Sequence, residues 1–165
     1  MPDNEHLPVK RAPWNKGKLI GARPPLRPKH VWSIRTRLLL AGRVRDLALF
    51  NLAIDSKLRG CDVVAIKVED VAPNGYTMDR ATVRQKKTGR PVKFEMTDQT
   101  RQAIDDYLKA AGKKPGEFLF TGRSGSGRCM STRQYARLLS QNGLPALGWT
   151  QSSLARIRCG VQRRR

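Results

Sequence analysis

The sequence predicts a mainly helical α+β domain that carries a small three-stranded antiparallel sheet. Three observations lead there. Apolar residues recur at three- and four-residue spacing up to Val71 and again from Ile104 onward; between these stretches the spacing drops to alternation; and glycine or proline marks most changes of period. At 165 residues the chain can bury one core, so a single domain with tails is expected.

Residues 1–28 hold Pro2, Pro8, Pro13, Pro24, Pro25 and Pro28 among scattered basic and glycine positions, with no apolar period, and read as a flexible basic arm. Pro28 suits the first turn of a helix whose face is Val31, Ile34 and Leu38 and whose end is Gly42. A second helix carries Leu47, Phe50, Ile54 and Leu58 on one side. Alternation then predicts three strands: one at Tyr76 and Met78 around Gly75, one through Ala81, Val83 and Gln85, and one through Val92, Phe94 and Met96. Thr88-Gly89-Arg90-Pro91 is the turn that joins the last two as a hairpin, because Gly89 is free to take positive φ. Ile104, Tyr107, Leu108 and Ala111 make an amphipathic helix closed by Gly112. Ser131-Thr132-Arg133-Gln134 is a capping-box pattern opening a last helix with Tyr135, Leu138 and Leu139 as its apolar face.

Lysine and arginine number 33 against 13 acids, a formal charge of +20. That excess exceeds what solubility needs and destabilises a compact chain by self-repulsion, so a polyanion is the expected partner, double-stranded DNA first. The longest apolar runs, Leu38 to Ala41 and Val63 to Ile66, are too short to span a bilayer. No apolar signal-peptide core follows the polar start Met-Pro-Asp-Asn-Glu-His, and a cytoplasmic location is expected. Cys61, Cys129 and Cys159 are odd in number and lack metal-ligand spacing, and the two histidines, His6 and His30, add no cluster. Neither a disulfide framework, a metal nor another cofactor is indicated.

The run from Asp46 to Val68 carries the most chemistry. It sets Arg59 at the end of an otherwise apolar face and places Asp62 three residues later. If the helix continues through Gly60, Asp62 can hold one edge of the guanidinium as a supporting ion pair and leave the other donors for a phosphate, which a planar five-donor fork suits. An ordinary surface ion pair explains the same two residues. This stretch resembles the first catalytic-arginine box of the tyrosine recombinases, the phage integrase family. A second segment, Val83-Arg84-Gln85-Lys86-Lys87-Thr88-Gly89, is similar to the strand-to-turn segment that bears that family's catalytic lysine. Lys87, directly before Thr-Gly, is the better match. The resemblance covers roughly residues 29–141 and implies a partial catalytic domain of site-specific DNA recombination. It implies that Arg59 stabilises charge at the scissile phosphate and that Lys87 is a general acid at the 5′ oxygen, a contribution of ~10²–10⁴-fold. A solvated turn that protects edge strands is the other reading of Lys86 and Lys87.

The rest of that family's machinery is absent. Neither His6 nor His30 opens a His-x-x-Arg box, and both precede Arg59. Tyr76, Tyr107 and Tyr135 fall on a strand or on apolar helix faces and read as core rather than nucleophile. Without the nucleophile and its partners no turnover is expected. Gly122-Arg-Ser-Gly-Ser-Gly-Arg128-Cys129 approaches a P-loop, but Arg128 replaces the lysine and Cys129 the magnesium-binding hydroxyl, so it reads as a loop near DNA phosphate. Arg133 and Arg137 have no acid within four residues and read as DNA-backbone contacts, as do Arg84, Lys86, Arg90 and Arg128.

From residue 142 onward the text has no clean period and no acids and ends in Arg163-Arg164-Arg165. Codons for Gly143 to Arg165 can be chosen so that a neighbouring frame reads through Thr-His-Ser-Leu-Arg-Arg, which contains a His-x-x-Arg box. A frameshifted end is one expectation for residues 142–165, and a disordered basic tail is the other. Two functional readings result. One is an inactive, C-terminally truncated recombinase that binds DNA, with a full-length recombinase as a second candidate partner. The alternative is a non-enzymatic basic nucleic-acid-binding protein, a regulator or accessory factor.

Overall fold

The computed structural model describes residues 26–122 and 127–142. The arm through residue 25, the loop 123–126 and the tail from 143 lie outside the described residues. The element order is α1 (Pro28–Leu40), α2 (Val44–Ser56), α3 (Gly60–Val63), α4 (Val68–Val71), β1 (Arg80–Arg84), β2 (Pro91–Glu95), α5 (Asp98–Ala111) and α6 (Thr132–Asn142).

Proline at the first turn opens α1, which buries Ile34 and Leu38. The central element is α2. It buries Ala48, Leu49, Phe50, Leu52 and Ala53 and packs against α1 on one side and α5 on another. α5 buries Ile104, Tyr107 and Leu108 of its expected face together with Ala103, whereas Ala111 is exposed at its last turn before Gly112 closes the helix at φ 58°. A polar network ties these three helices together. Arg35 Nε donates to Asn51 Oδ1 at 2.8 Å and its Nη1 to Gln99 Oε1 at 3.2 Å, while Asp55 Oδ2 accepts from both the amide and the hydroxyl of Thr97 at 2.9 Å.

The sheet among the described residues has two strands, not three. β1 and β2 pair antiparallel with Ala81 opposite Phe94 and Val83 opposite Val92. The expected first strand around Gly75 is instead a turn. Gly75 takes φ 84°, and Asp105 of α5 accepts both the Thr77 amide at 2.8 Å and its hydroxyl at 2.6 Å. A carboxylate that occupies the amide of Thr77 removes it from any ladder, and Tyr76 consequently stands 58% exposed rather than in a core. The hairpin turn is as its residues require: Gly89 adopts φ 66° and its amide donates to Gln85 O at 2.8 Å.

A second correction falls on the chain after α2. Lys57 takes the left-handed conformation, φ 51°, and ends the helix there. Such a backbone costs a non-glycine residue about 1–2 kcal/mol. The break turns Leu58 inward to 4% exposure, and Arg59, extended at φ −67° and ψ 147°, becomes the residue that precedes α3. Beyond α3 a two-way backbone exchange, Val68 N to Glu117 O and Leu119 N to Ile66 O, both 2.9 Å, seats Leu119 and Phe120 in the core. Phe120 stacks on Tyr107 with ring centroids 5.7 Å apart.

Candidate nucleic-acid interface

α3 is the hub of the candidate site. It spans one turn, yet the β-hairpin is hydrogen-bonded to it and α6 packs against it. The Asp62 side chain, 1% exposed, accepts the Lys86 backbone amide at Oδ1, 2.9 Å. This bond fixes the start of the hairpin turn to α3, one residue before Lys87. Asp62 therefore does what the sequence did not foretell, because it orients the lysine-bearing hairpin. The expected Arg59–Asp62 ion pair is absent: among the described residues no acid lies within 4 Å of the Arg59 guanidinium. Arg59 precedes α3 in extended backbone, and the Asp62 carboxylate is turned instead to the Lys86 amide.

Arg59 is half-buried, and its Nη1 is buried without a hydrogen-bond partner. Asp62 Oδ2 and the Tyr135 hydroxyl are in the same condition. A buried donor or acceptor left unpaired costs about 1–3 kcal/mol, and more when charged. Tyr135 comes from α6 and is 1% exposed. Its ring lies so close to α3 that a Cβ on Gly60 would meet Cε1 at 2.9 Å and Cδ1 at 3.0 Å. Gly60 is thus required by the close approach of α6, a role that only the packing discloses. Burial drives the Tyr135 hydroxyl far above the ordinary tyrosine range, and burial also raises Tyr107. Both rings stay neutral and belong to the core, as their positions on apolar faces lead one to expect.

The remaining basic candidates are distributed around this hub. Arg84 stands on the exposed face of β1, and Lys86, Lys87 and Arg90 are exposed in the turn. Arg128 is exposed beside the isolated bridge Thr121–Cys129, which leads into α6. Arg133 and Arg137 are exposed on α6, whose first turn is capped by Ser131 Oγ accepting the Gln134 amide at 3.1 Å. The structure thus joins Arg59, Asp62, the Lys86 amide and Tyr135 around α3. Half of the glycine-rich stretch likened to a P-loop, residues 123–126, lies outside the described residues. No group of three metal-ligating side chains occurs among the described residues.

Among solved structures the fold is similar to the crystal structure of XerA recombinase, with a TM-score of 0.58 and 15% sequence identity. The similarity covers 86% of this chain and 47% of that one, so the chain spans about half the length of that protein. At this identity the likeness is one of fold. No protein-family model matches the chain, and no curated protein does. No helix among the described residues is long and apolar enough to cross a membrane.

Proposed function

We propose that this chain is a DNA-binding protein of the tyrosine-recombinase type that engages backbone phosphates and does not cut. The observation that carries this reading is the Arg59 guanidinium, half-buried, with Nη1 lacking a hydrogen-bond partner among the described residues. A charged donor in that condition suits an anion from outside, and a phosphate oxygen matches its planar fork. Lys87 stands at the tip of a hairpin anchored through the neighbouring Lys86 amide, which suits a lysine that reaches into a DNA groove. Arg84, Arg90, Arg128, Arg133 and Arg137 supply further phosphate contacts, and the net charge of +20 supplies the long-range attraction.

Cleavage needs a nucleophile and a proton donor at one phosphate. Arg59 and Lys87 fill two of the roles that the resemblance implies, but the sequence holds no His-x-x-Arg box after Arg59 and no tyrosine after Tyr135. A full-length recombinase that supplies a tyrosine in trans is the partner this reading admits.

The test is a salt titration of duplex binding with a parallel search for covalent adducts on nicked DNA. Log affinity is expected to fall linearly with log salt, with a slope of several units, and Arg59→Ala is expected to lessen that slope by about 0.9. Salt-insensitive binding, or a covalent adduct that survives denaturation, overturns the proposal. A strong preference for one duplex over its scrambled counterpart favours a dedicated regulator instead.

A further inference from the structure

The groove between α1 and α5 has no part in that reading. It measures ≈ 500 Å³ and is lined by Trp32 and Leu39 of α1, Leu47 of α2 and Ala103 of α5, with Asp98 and Asp106 from α5. Trp32 is 56% and Leu39 67% exposed, so a tryptophan and a leucine seven residues apart on one helix lie uncovered. Arg35 also lines the groove, but its charge is engaged. Its Nη2 lies 3.7 Å from Asp55, and its guanidinium stacks over Trp32 at 5.8 Å. Asp98 pairs with Arg101. Asp106 accepts from Gln102 at 2.8 Å and has no ion pair among the described residues.

In a chain of net charge +20, this groove combines bare apolar surface with a local acidic side. Its complement is an extended segment that has aliphatic anchors between cationic side chains. The chain itself contains one. Residues 14–23 read Trp-Asn-Lys-Gly-Lys-Leu-Ile-Gly-Ala-Arg, which sets Leu19 and Ile20 between Lys16, Lys18 and Arg23. The reach fits as well. From Ile20 to Pro28 the extended chain spans roughly 26 Å, whereas α1 is about 20 Å long, so the segment can fold back along the helix it precedes.

We propose that residues 14–23 dock in cis in the α1–α5 groove, with Leu19 and Ile20 against Trp32 and Leu39 and the flanking lysines beside Asp98 and Asp106. Docking covers the apolar surface and places part of the chain's positive charge against its own acids.

Trypsin cleavage after Lys16 and Lys18 in the full 165-residue chain tests this, at low salt and without nucleic acid. Cleavage of the unaltered chain is expected to run about tenfold slower than that of Leu19→Ser/Ile20→Ser, because cutting tracks the undocked population. Asp98→Lys/Asp106→Lys is expected to accelerate it similarly, as is added salt in the unaltered chain. The arm variant leaves the helical body untouched, so the test stands even if the α5 variant unfolds. Equal rates in the unaltered chain and in Leu19→Ser/Ile20→Ser overturn the proposal. Sedimentation velocity reads the rival occupant: a dimer that Trp32→Ala dissociates, with arm cleavage unchanged, gives the groove to a second copy and also overturns it.

Discussion

The helical body of α1, α2 and α5 and the region around α3 handle buried polar groups in opposite ways. In the body, Arg35, Asn51, Asp55, Thr97 and Gln99 bond to one another across three helices, and Asp105 closes on Thr77 with two short bonds. Around α3, Arg59 Nη1, Asp62 Oδ2 and the Tyr135 hydroxyl are buried and have no hydrogen-bond partner among the described residues. The body also holds two such atoms, His30 Nδ1 and Arg101 Nε, and these residues, like Asp62, engage partners through other atoms or contacts. A network that satisfies itself fixes a scaffold, because every donor and acceptor specifies the position of another. Unpaired groups beside an anchored hairpin contribute no such support and are suited to a ligand. On the proposed reading, the contrast separates a part that holds shape from the part that engages DNA phosphate.

The contrast depends most on Asp62. A hydrogen bond to a charged acceptor contributes about 1.5–3 kcal/mol, so Asp62→Ala should free the hairpin turn. Amide exchange at Lys86 should quicken by about tenfold to a hundredfold, with little change in the amides of α2, since local opening need not unfold the body. Asp62→Asn, which keeps an acceptor, should restore most of the protection. Unchanged exchange at Lys86 would show that the hairpin is held by other means.

Gly60→Ala tests the contact of α3 with α6. The added Cβ would stand 2.9 Å from the Tyr135 ring, and overpacking of this kind costs about 1–3 kcal/mol. Urea unfolding should report that loss, and Tyr135→Leu in the same chain should recover part of it by withdrawing the ring. A Gly60→Ala variant as stable as the unaltered chain would mean that α6 sits on α3 more loosely than these distances say.

The smallest effect is expected of Tyr135→Phe. Removal of a buried hydroxyl that has no partner should change stability by less than about 1 kcal/mol at neutral pH. Alkaline pH sharpens the measurement. The unfolded tyrosine ionises near ~10, while burial keeps the folded hydroxyl protonated well beyond that value. The share of stability that this group governs is therefore complete below the unfolded pKa and lost above it, as the unfolded chain releases a proton the folded chain retains. Tyr135→Phe should lessen the fall in stability above that pH, leaving the part due to Tyr107. A loss well above 1 kcal/mol at neutral pH would reveal a partner for the hydroxyl.

Much of the helical body was legible because its signals are local. Ile34 and Leu38, Phe50 and Ile54, and Ile104 and Leu108 recur at helical spacing, and Pro28, Gly89, Gly112 and Ser131 stand where a start, turn, stop or cap demands them. Arg59 and Lys87 were picked out by the resemblance of the segments that hold them, and Asp62 by its spacing from Arg59. What failed was continuity. Spacing left α2 free to run through Gly60 and made a strand of Tyr76 and Met78; the chain instead turns left-handed at Lys57, and a distant group decided the second region. Asp105, 28 positions along the chain, captured Thr77 and left a turn.

By itself, then, the sequence determined the helical periods, the hairpin and its lysines, and a charge of +20 that calls for a polyanion. These follow from the order of side chains, because the helical period, the alternation of strands and long-range electrostatics require no knowledge of what packs on what. Only the tertiary structure decided that the helix stops at Lys57, that Asp62 serves the Lys86 amide instead of Arg59, and that Gly60 admits Tyr135. The last two pit a local preference against a contact from elsewhere in the chain. A weak local bias of a few tenths of a kcal/mol per residue yields to a buried hydrogen bond or a close-packed ring worth more than 1 kcal/mol.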